Sequence, residues 1–223
     1  NSDGTLDNTF DTGTGFNNLI NDIKLQSDGK ILVSTQDAKR YKGLLVERGV
    51  FRILQNGDLD LSFQFPYAAY GGKLFLDSNE KVLVNSAVSN YFFKRYNNDG
   101  SLDSSFPTIN AYLIGIQSDG KIMALEGGNN TPNTVKRYSS DGIIDNTYQP
   151  YLTPNSGPIK QSFNLLPDDK IVFCNVIDSN NAKILKLEAN GILDNAFETD
   201  ELSKPSNNPE NVKVIVFSMK DLK

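Results

Sequence analysis

One glycine-centred turn occurs five times along this chain, and that recurrence limits the fold more than any other feature. The reference glycines are Gly4, Gly57, Gly100, Gly142 and Gly191, separated by 53, 43, 42 and 49 residues. Two positions after each stands an aliphatic residue: Leu6, Leu59, Leu102, Ile144 and Leu193. Three positions after, the residue is always Asp: Asp7, Asp60, Asp103, Asp145 and Asp194. Six after comes an aromatic, Phe10, Phe63, Phe106, Tyr148 or Phe197, and five before comes Arg52, Arg95, Arg137 or Lys186. A period of this length is the mark of stacked supersecondary units.

A second signature lies between these turns. Leu25-Gln26-Ser27-Asp28-Gly29-Lys30-Ile31-Leu32-Val33 recurs as Ile116-Gln117-Ser118-Asp119-Gly120-Lys121-Ile122-Met123-Ala124, with weaker copies over Leu76–Val84 and Leu165–Phe173. Short apolar runs on either side of Asp-Gly predict a hairpin. Each unit then reads as strand A, tight turn, strand B, longer loop, strand C, tight turn, and a short strand D ending at the aromatic. No segment carries a capped helical periodicity. Four short strands per 42–53 residues is the size of a propeller blade. A β-solenoid, the competing architecture, uses fewer residues per coil and stacks its strands in parallel.

The expected fold class is all-β: a β-propeller of four complete four-stranded blades plus a partial fifth. Residues 1–223 form one domain, with units near 1–54, 55–97, 98–139, 140–188 and 189–223. The fifth unit has a strand-A segment, Val212–Ser218, but no strands B and C, and the chain begins at Asn1 without an initiator Met or signal peptide. Both features suggest a piece of a longer chain and a larger ring.

The repeated charges have a plain structural reading. In a hairpin of this type the basic residue faces the Asp, giving Arg52–Asp60, Arg95–Asp103, Arg137–Asp145 and Lys186–Asp194. Placed on a solvated face, each pair contributes about 0–1 kcal/mol and mainly sets register. The recurrent Leu and Phe are expected to point inward, each adding about 1.5–3 kcal/mol on burial.

Composition removes several function classes. The chain has no histidine, which excludes His-dependent triads and His-bearing zinc sites within it. The single cysteine, Cys174, lies in Ile171-Val172-Phe173-Cys174 and reads as a buried strand thiol. Twenty-two basic against 27 acidic residues give −5, which argues against a nucleic-acid partner. No apolar run is long enough for a membrane-spanning helix. Asp99-Gly100-Ser101-Leu102-Asp103 has the wrong order for an EF-hand loop, and no glycine-rich phosphate loop is present. No catalytic, cofactor-binding or metal-binding residues are assigned, and no cofactor is expected.

Asn-x-Asp-Gly-(Ser/Thr)-Leu-Asp-x-x-Phe followed by Gln-Ser-Asp-Gly-Lys-Ile-Leu-Val resembles the delta-sixty repeat, best over Ser2–Val33 and Tyr96–Met123. That propeller-like repeat occurs in bacterial surface and secreted proteins and in some phage structural proteins. The resemblance implies an extracellular or cell-surface bacterial location, with a virion as the alternative. It implies no reaction. One departure is notable: the family usually has Gly-Gly after strand B, where this chain has Ser34-Thr35, Asn85-Ser86, Leu125-Glu126 and Cys174-Asn175. Those side chains bear on how closely the blades approach one another.

Function is expected on the long loops, Gln36–Arg48, Gln64–Gly72, Glu126–Asn133, Gln149–Pro158 and Glu198–Asn211. Arg40, Tyr41, Tyr67, Tyr70 and Tyr151 on those loops are the candidate partner-binding residues. The alternative is that the tyrosines fold back into the core or the channel. These features point to a non-catalytic recognition or assembly module, not an enzyme. The expected partner is a protein in a larger complex, or a glycan. A carbohydrate-active propeller enzyme using Asp37, Glu47, Glu126 or Asp178, and a phage structural subunit, are the competing readings.

Overall fold

The computed structural model describes residues 2–36, 38, 40–46, 49–66, 71–86, 92–128, 131–153, 163–176, 181–197 and 202–203. All its regular elements are strands, paired antiparallel throughout, in the small radially repeated sheets of a β-propeller. Blade 1 is β1 (Ile20–Leu25), β2 (Ile31–Thr35) and β5 (Val50–Ile53), with a separate hairpin, β3 (Arg40–Tyr41) and β4 (Leu44–Leu45), inserted between β2 and β5. Blade 2 is β6 (Gly71–Leu76), β7 (Val82–Ser86) and β8 (Phe93–Tyr96). Blade 3 runs β9 (Tyr112–Ile116), β10 (Ile122–Gly128), β11 (Thr131–Tyr138), β12 (Tyr151–Leu152). Blade 4 runs β13 (Phe163–Leu165), β14 (Ile171–Val176), β15 (Asn181–Leu187), β16 (Leu202–Ser203).

The A–B turns follow the Asp-Gly signature. Gly29 and Gly120 have φ of 79° and 82°, and in the weaker copies Glu80 and Asp169 take the same left-handed position at 61° and 65°. Strand D differs from the expectation. The aliphatic after the C–D turn makes one bridge, as Leu59 to Ile53 and Leu102 to Tyr96, and the chain then leaves the sheet. It returns beyond the aromatic, at Ile109 in blade 2, at β12 in blade 3 and at β16 in blade 4. The excursion is a capped turn: Asp103 Oδ1 accepts from Ser105 N and Oγ at 3.1 and 2.6 Å, and Asp60 and Asp145 do the same with Ser62 and Thr147. The Glu126–Asn133 stretch also differs, because β10 and β11 extend through most of it.

Each apolar core lies between two blades. Leu32 and Val50 of blade 1 meet Leu74, Val82, Val84 and Tyr96 of blade 2. Leu83 and Phe93 meet Leu113, Ile122 and Tyr138, while Met123 and Val135 meet Ile171, Phe173 and Leu187. Phe63, Phe106 and Tyr148 are buried in these seams and Phe197 is half-buried.

The three Arg–Asp pairs are largely buried rather than solvated, while Lys186–Asp194 is half-buried. Arg52 and Asp60 are each 8% exposed as side chains, with Nε to Oδ2 at 2.8 Å. Arg95–Asp103 has the same distance and similar burial. The cause is the next blade. Arg52 Nη1 donates to the Asn98 carbonyl at 2.5 Å, Arg95 Nη1 to Ser140 at 2.7 Å, and Arg137 Nη1 to Ala189 at 3.0 Å. Each accepting carbonyl lies two positions before the following unit's turn glycine. The aromatic six after the glycine lies under the guanidinium, at 4.9, 4.4 and 5.0 Å for Phe63, Phe106 and Tyr148. Of the aliphatics expected inside, Leu59 and Leu193 are half-buried against the cores, whereas Leu102 and Ile144 face outward, 46% and 42% exposed.

Candidate functional site

The four innermost strands, β1, β6, β9 and β13, surround a polar cavity of about 620 Å³ at the end of the channel where strand A begins. Three of them carry a β-bulge there. Asn21 is skipped between Ile20↔Thr35 and Asp22↔Ser34, Gly72-Lys73 stand opposite Asn85 alone, and Ile114 is skipped between Leu113↔Ala124 and Gly115↔Met123. All of these bulged residues line the cavity. A bulge takes backbone groups out of the ladder and re-aims side chains, and bulges concentrate beside functional sites for that reason.

The released backbone groups are satisfied across the blade seams. Ser34 Oγ donates to the Gly72 carbonyl at 2.6 Å, and Asp22 Oδ2 accepts from Leu74 N at 2.8 Å. Asn85, 2% exposed, does both: Oδ1 accepts from Leu113 N at 2.9 Å and Nδ2 donates to Leu113 O at 3.0 Å. Ser34 and Asn85 stand where the resembled family has glycine, so here a side chain links the blades. At the third seam the equivalent Leu125 makes the link by apolar packing.

Asp22 is therefore held at a fixed place on the wall. Its Oδ1 also accepts from Ile23 N at 2.9 Å, and Lys24 Nζ stands 3.9 Å from Oδ2. A carboxylate accepts about four hydrogen bonds, so lone pairs remain for a ligand. Lys73 has no carboxylate partner among the described residues, and its ammonium stands 5.5 Å from the Phe75 ring centre. Gln36, Tyr112 and Phe163 complete the wall with an amide, a phenol and a flat apolar face. Asp22 is the sole carboxylate among the described lining residues. Among the described residues no group of three or more Asp, Glu, Cys or His could hold a metal.

None of the described candidates chosen from sequence lines this cavity. Tyr41 is 1% exposed, its hydroxyl donates to the Gly57 carbonyl at 2.6 Å, and Phe16 lies 4.5 Å from its ring, so it is a core residue of blade 1. Tyr151 is half-buried in β12 against Phe173 at 5.6 Å. Arg40 is exposed on β3, and its Nη1 donates to Gly43 O at 2.8 Å. Tyr67 and Tyr70 lie outside the described residues, as do Asp37, Glu47 and Asp178. Glu126 is occupied by the Lys136 ammonium and the Tyr138 hydroxyl. Cys174 is partly buried in β14, and that burial raises its thiol pKa. The cavity residues were missed because a bulge leaves no periodicity signal: Asn21-Asp22 and Gly72-Lys73 read as strand-edge polarity.

Residues 26–63 and 83–106 match a family described as a domain of unknown function (DUF5122) with a β-propeller fold. This is a propeller-repeat family. No protein of curated function matches the sequence. Among solved structures, selenomethionine-substituted virginiamycin B lyase from Staphylococcus aureus is 18% identical with a TM-score of 0.51, covering 85% of this chain and 57% of that one. A catalytically inactive histidine-to-alanine variant of the lyase, with quinupristin, is 20% identical at 0.53, covering 84% and 56%. A streptogramin B lyase is 20% identical at 0.50, covering 88% and 62%. At these identities the likeness shows a shared propeller fold, and the chain spans about six-tenths of each lyase. The expectation that the chain is not an enzyme is corrected by these matches. The three propellers named here are lyases by title, so a repeat frame without obvious motifs does not by itself mark a non-catalytic module.

Proposed function

We propose that this chain forms the substrate-binding part of a carbohydrate-active propeller enzyme working by elimination at the channel-end cavity. The observation that carries the reading is the convergence of three strand bulges on one polar cavity that holds a fixed carboxylate and an ammonium without a carboxylate partner among the described residues. A two-carboxylate glycosidase needs a general acid and a second carboxylate roughly 5–10 Å away, and the described wall has Asp22 alone. Elimination needs one base and one group that neutralises developing negative charge. The reaction class is that of the lyases with the same fold, although the lyase inactivated by losing a histidine has no counterpart group here, since this sequence contains none.

In this reading the carboxylate of Asp22 takes a proton from the carbon next to a substrate carboxyl or carbonyl group. The C–H electron pair forms the new double bond, and the oxygen on the neighbouring carbon leaves with the C–O pair. Lys73 holds the negative charge that builds on the activating group. In the same reading the Tyr112 hydroxyl returns a proton to the leaving oxygen, and Phe163 offers a face to a sugar ring. The repeat itself we assign to the delta-sixty type, on the Asn-x-Asp-Gly-x-Leu-Asp-x-x-Phe motif.

The test is turnover of uronate-containing polysaccharides, followed by the ultraviolet absorbance of the conjugated double bond. Asp22→Asn keeps an acceptor for Leu74 N but removes the base, so activity should fall by about 10²–10⁴-fold with little change in melting temperature. Lys73→Met should raise KM most. Activity unchanged by Asp22→Asn would remove Asp22 from the chemistry.

A further inference from the structure

The charge on the channel wall continues below the cavity. Strand A runs from the cavity into the channel, and Lys24 stands two residues beyond Asp22, roughly 6–7 Å further along β1. On the register of the A–B hairpins, Lys24 is opposite Leu32, Phe75 opposite Leu83, Gly115 opposite Met123 and Asn164 opposite Val172. These four therefore share one level. It has an ammonium, an aromatic ring and an amide, and no carboxylate among the described innermost strands.

The Lys24 ammonium lies 5.9 Å from the Phe75 ring centre, and the Lys73 ammonium lies 5.5 Å from the same centre. The ring attracts each of them, but the two ammoniums repel one another. Asp22 is the sole carboxylate of the described cavity wall and can offset only one of the two charges. Its contact with Lys24 is long, at 3.9 Å, where a charge-assisted hydrogen bond spans about 2.7–2.9 Å. No closer carboxylate stands by Lys24 among the described residues, so its ammonium donors are open to a ligand. Since β1 is the innermost strand and blade 2 covers this side of it, the 37% of the Lys24 side chain left exposed borders the channel. The chain as a whole carries −5, so this positive pair is a local feature and not the reflection of a basic protein.

We propose that Lys24 is a second acid-binding position and that the substrate is a run of consecutive uronates, one carboxylate at Lys73 and the next at Lys24. The proposal rests on the elimination reading for the role of Lys73 and adds the composition of the substrate. The step from the cavity level to the Lys24 level is of the order of the advance from one sugar to its neighbour. A chain in which neutral sugars separate the acids would leave Lys24 without a partner. Two like charges beside a narrow channel also concentrate the field on a polyanion.

The test uses the full chain with Asp22→Asn, which keeps the cavity and removes the base, and measures dissociation constants for the monomers and trimers of galacturonate and mannuronate. One trimer should bind at least about tenfold more tightly than its monomer, the size of one hydrogen bond to a charged group. Adding Lys24→Met should remove that gain and leave the monomer's affinity in place, while Lys24→Arg should retain the gain. Thermal midpoints are compared first, and Lys24→Gln replaces Lys24→Met if that midpoint drops. Equal weakening of monomer and trimer would make Lys24 a prop for residue 22 and overturn the proposal. So would trimers no tighter than monomers, or no binding of either trimer. Trimers that bind as expected but are not turned over by the wild type would leave the acid-binding position standing and remove the elimination reading. Turnover without any gain from chain length would do the reverse.

Discussion

Arg95 joins two blades through one guanidinium: Nε donates to Asp103 in its own hairpin at 2.8 Å, and Nη1 donates to the Ser140 carbonyl of the next blade at 2.7 Å. The sequence pairing is local, but its energetic weight comes from the neighbour that buries it. Removing one partner of a buried pair leaves an uncompensated charge, at a cost of about 3–5 kcal/mol.

Asp103→Ala should therefore destabilise by about as much as Phe106→Ala, for which loss of a buried aromatic predicts about 3–5 kcal/mol. Denaturant melts of the two variants test this. A loss for Asp103→Ala below about 1 kcal/mol, the value of an exposed pair, would return the residue to a register-setting role.

Acid should open the same seams. The Lys81 ammonium, then the Ser105 hydroxyl and Arg95, hold the Asp103 carboxyl well below the usual carboxylate range. Asp145 is lowered mainly by Thr147, and Asp194 mainly by Lys186. Asp60 is lowered too, because Ser62 and Arg52 outweigh the opposing effect of burial. A carboxyl depressed in the folded state adds stability above its unfolded value, near ~3.9, and loses it as pH falls toward the folded value. The melting midpoint should hold at neutral pH and fall below about pH 5, and Asp103→Asn should fall less steeply. A midpoint unmoved by acid, or parallel slopes for wild type and variant, would count against this account.

The sequence made the frame legible because strand period, Asp-Gly turns and repeated offsets are local signals. They located the A–B hairpins and the burial of Phe63 and Phe106, while Phe197, expected inside with them, is only half-buried. They did not show which hairpin face another blade covers, so Arg95 was expected in solvent and Leu102 inside. The cavity was hidden for a related reason. Asn21, Asp22 and Lys73 meet only because three strands bulge at one level and curve around one channel, and no spacing along the chain encodes that meeting.

Tyr41 separates core from surface directly. Its ring is buried with Phe16 and Phe51, and its hydroxyl satisfies the buried Gly57 carbonyl. Tyr41→Phe keeps the ring and strands that carbonyl, so it should cost about 1–3 kcal/mol. A residue serving only a recognition surface would leave the thermal midpoint unchanged.

The turn glycines test the blade contact with a built-in control. Gly4 and Gly100 have nearly the same backbone, with φ of 83° and 86°, a left-handed conformation that costs a side chain about 1–2 kcal/mol. Their surroundings differ. A Cβ on Gly4 meets nothing within 4 Å, whereas one on Gly100 stands 2.9 Å from the backbone of Gln64 and Phe65 in the preceding blade. That backbone is held in place, since Gln64 N donates to the Asp99 carbonyl at 2.6 Å. Gly4→Ala should therefore show the conformational cost alone, and Gly100→Ala that cost plus a forced separation of the two blades. The second loss should be at least about twice the first, because overpacking adds roughly 1–3 kcal/mol. Equal losses in denaturant melts would show that Gly100 is required only for its turn, and that the seam between blades 1 and 2 does not depend on close backbone approach at that level.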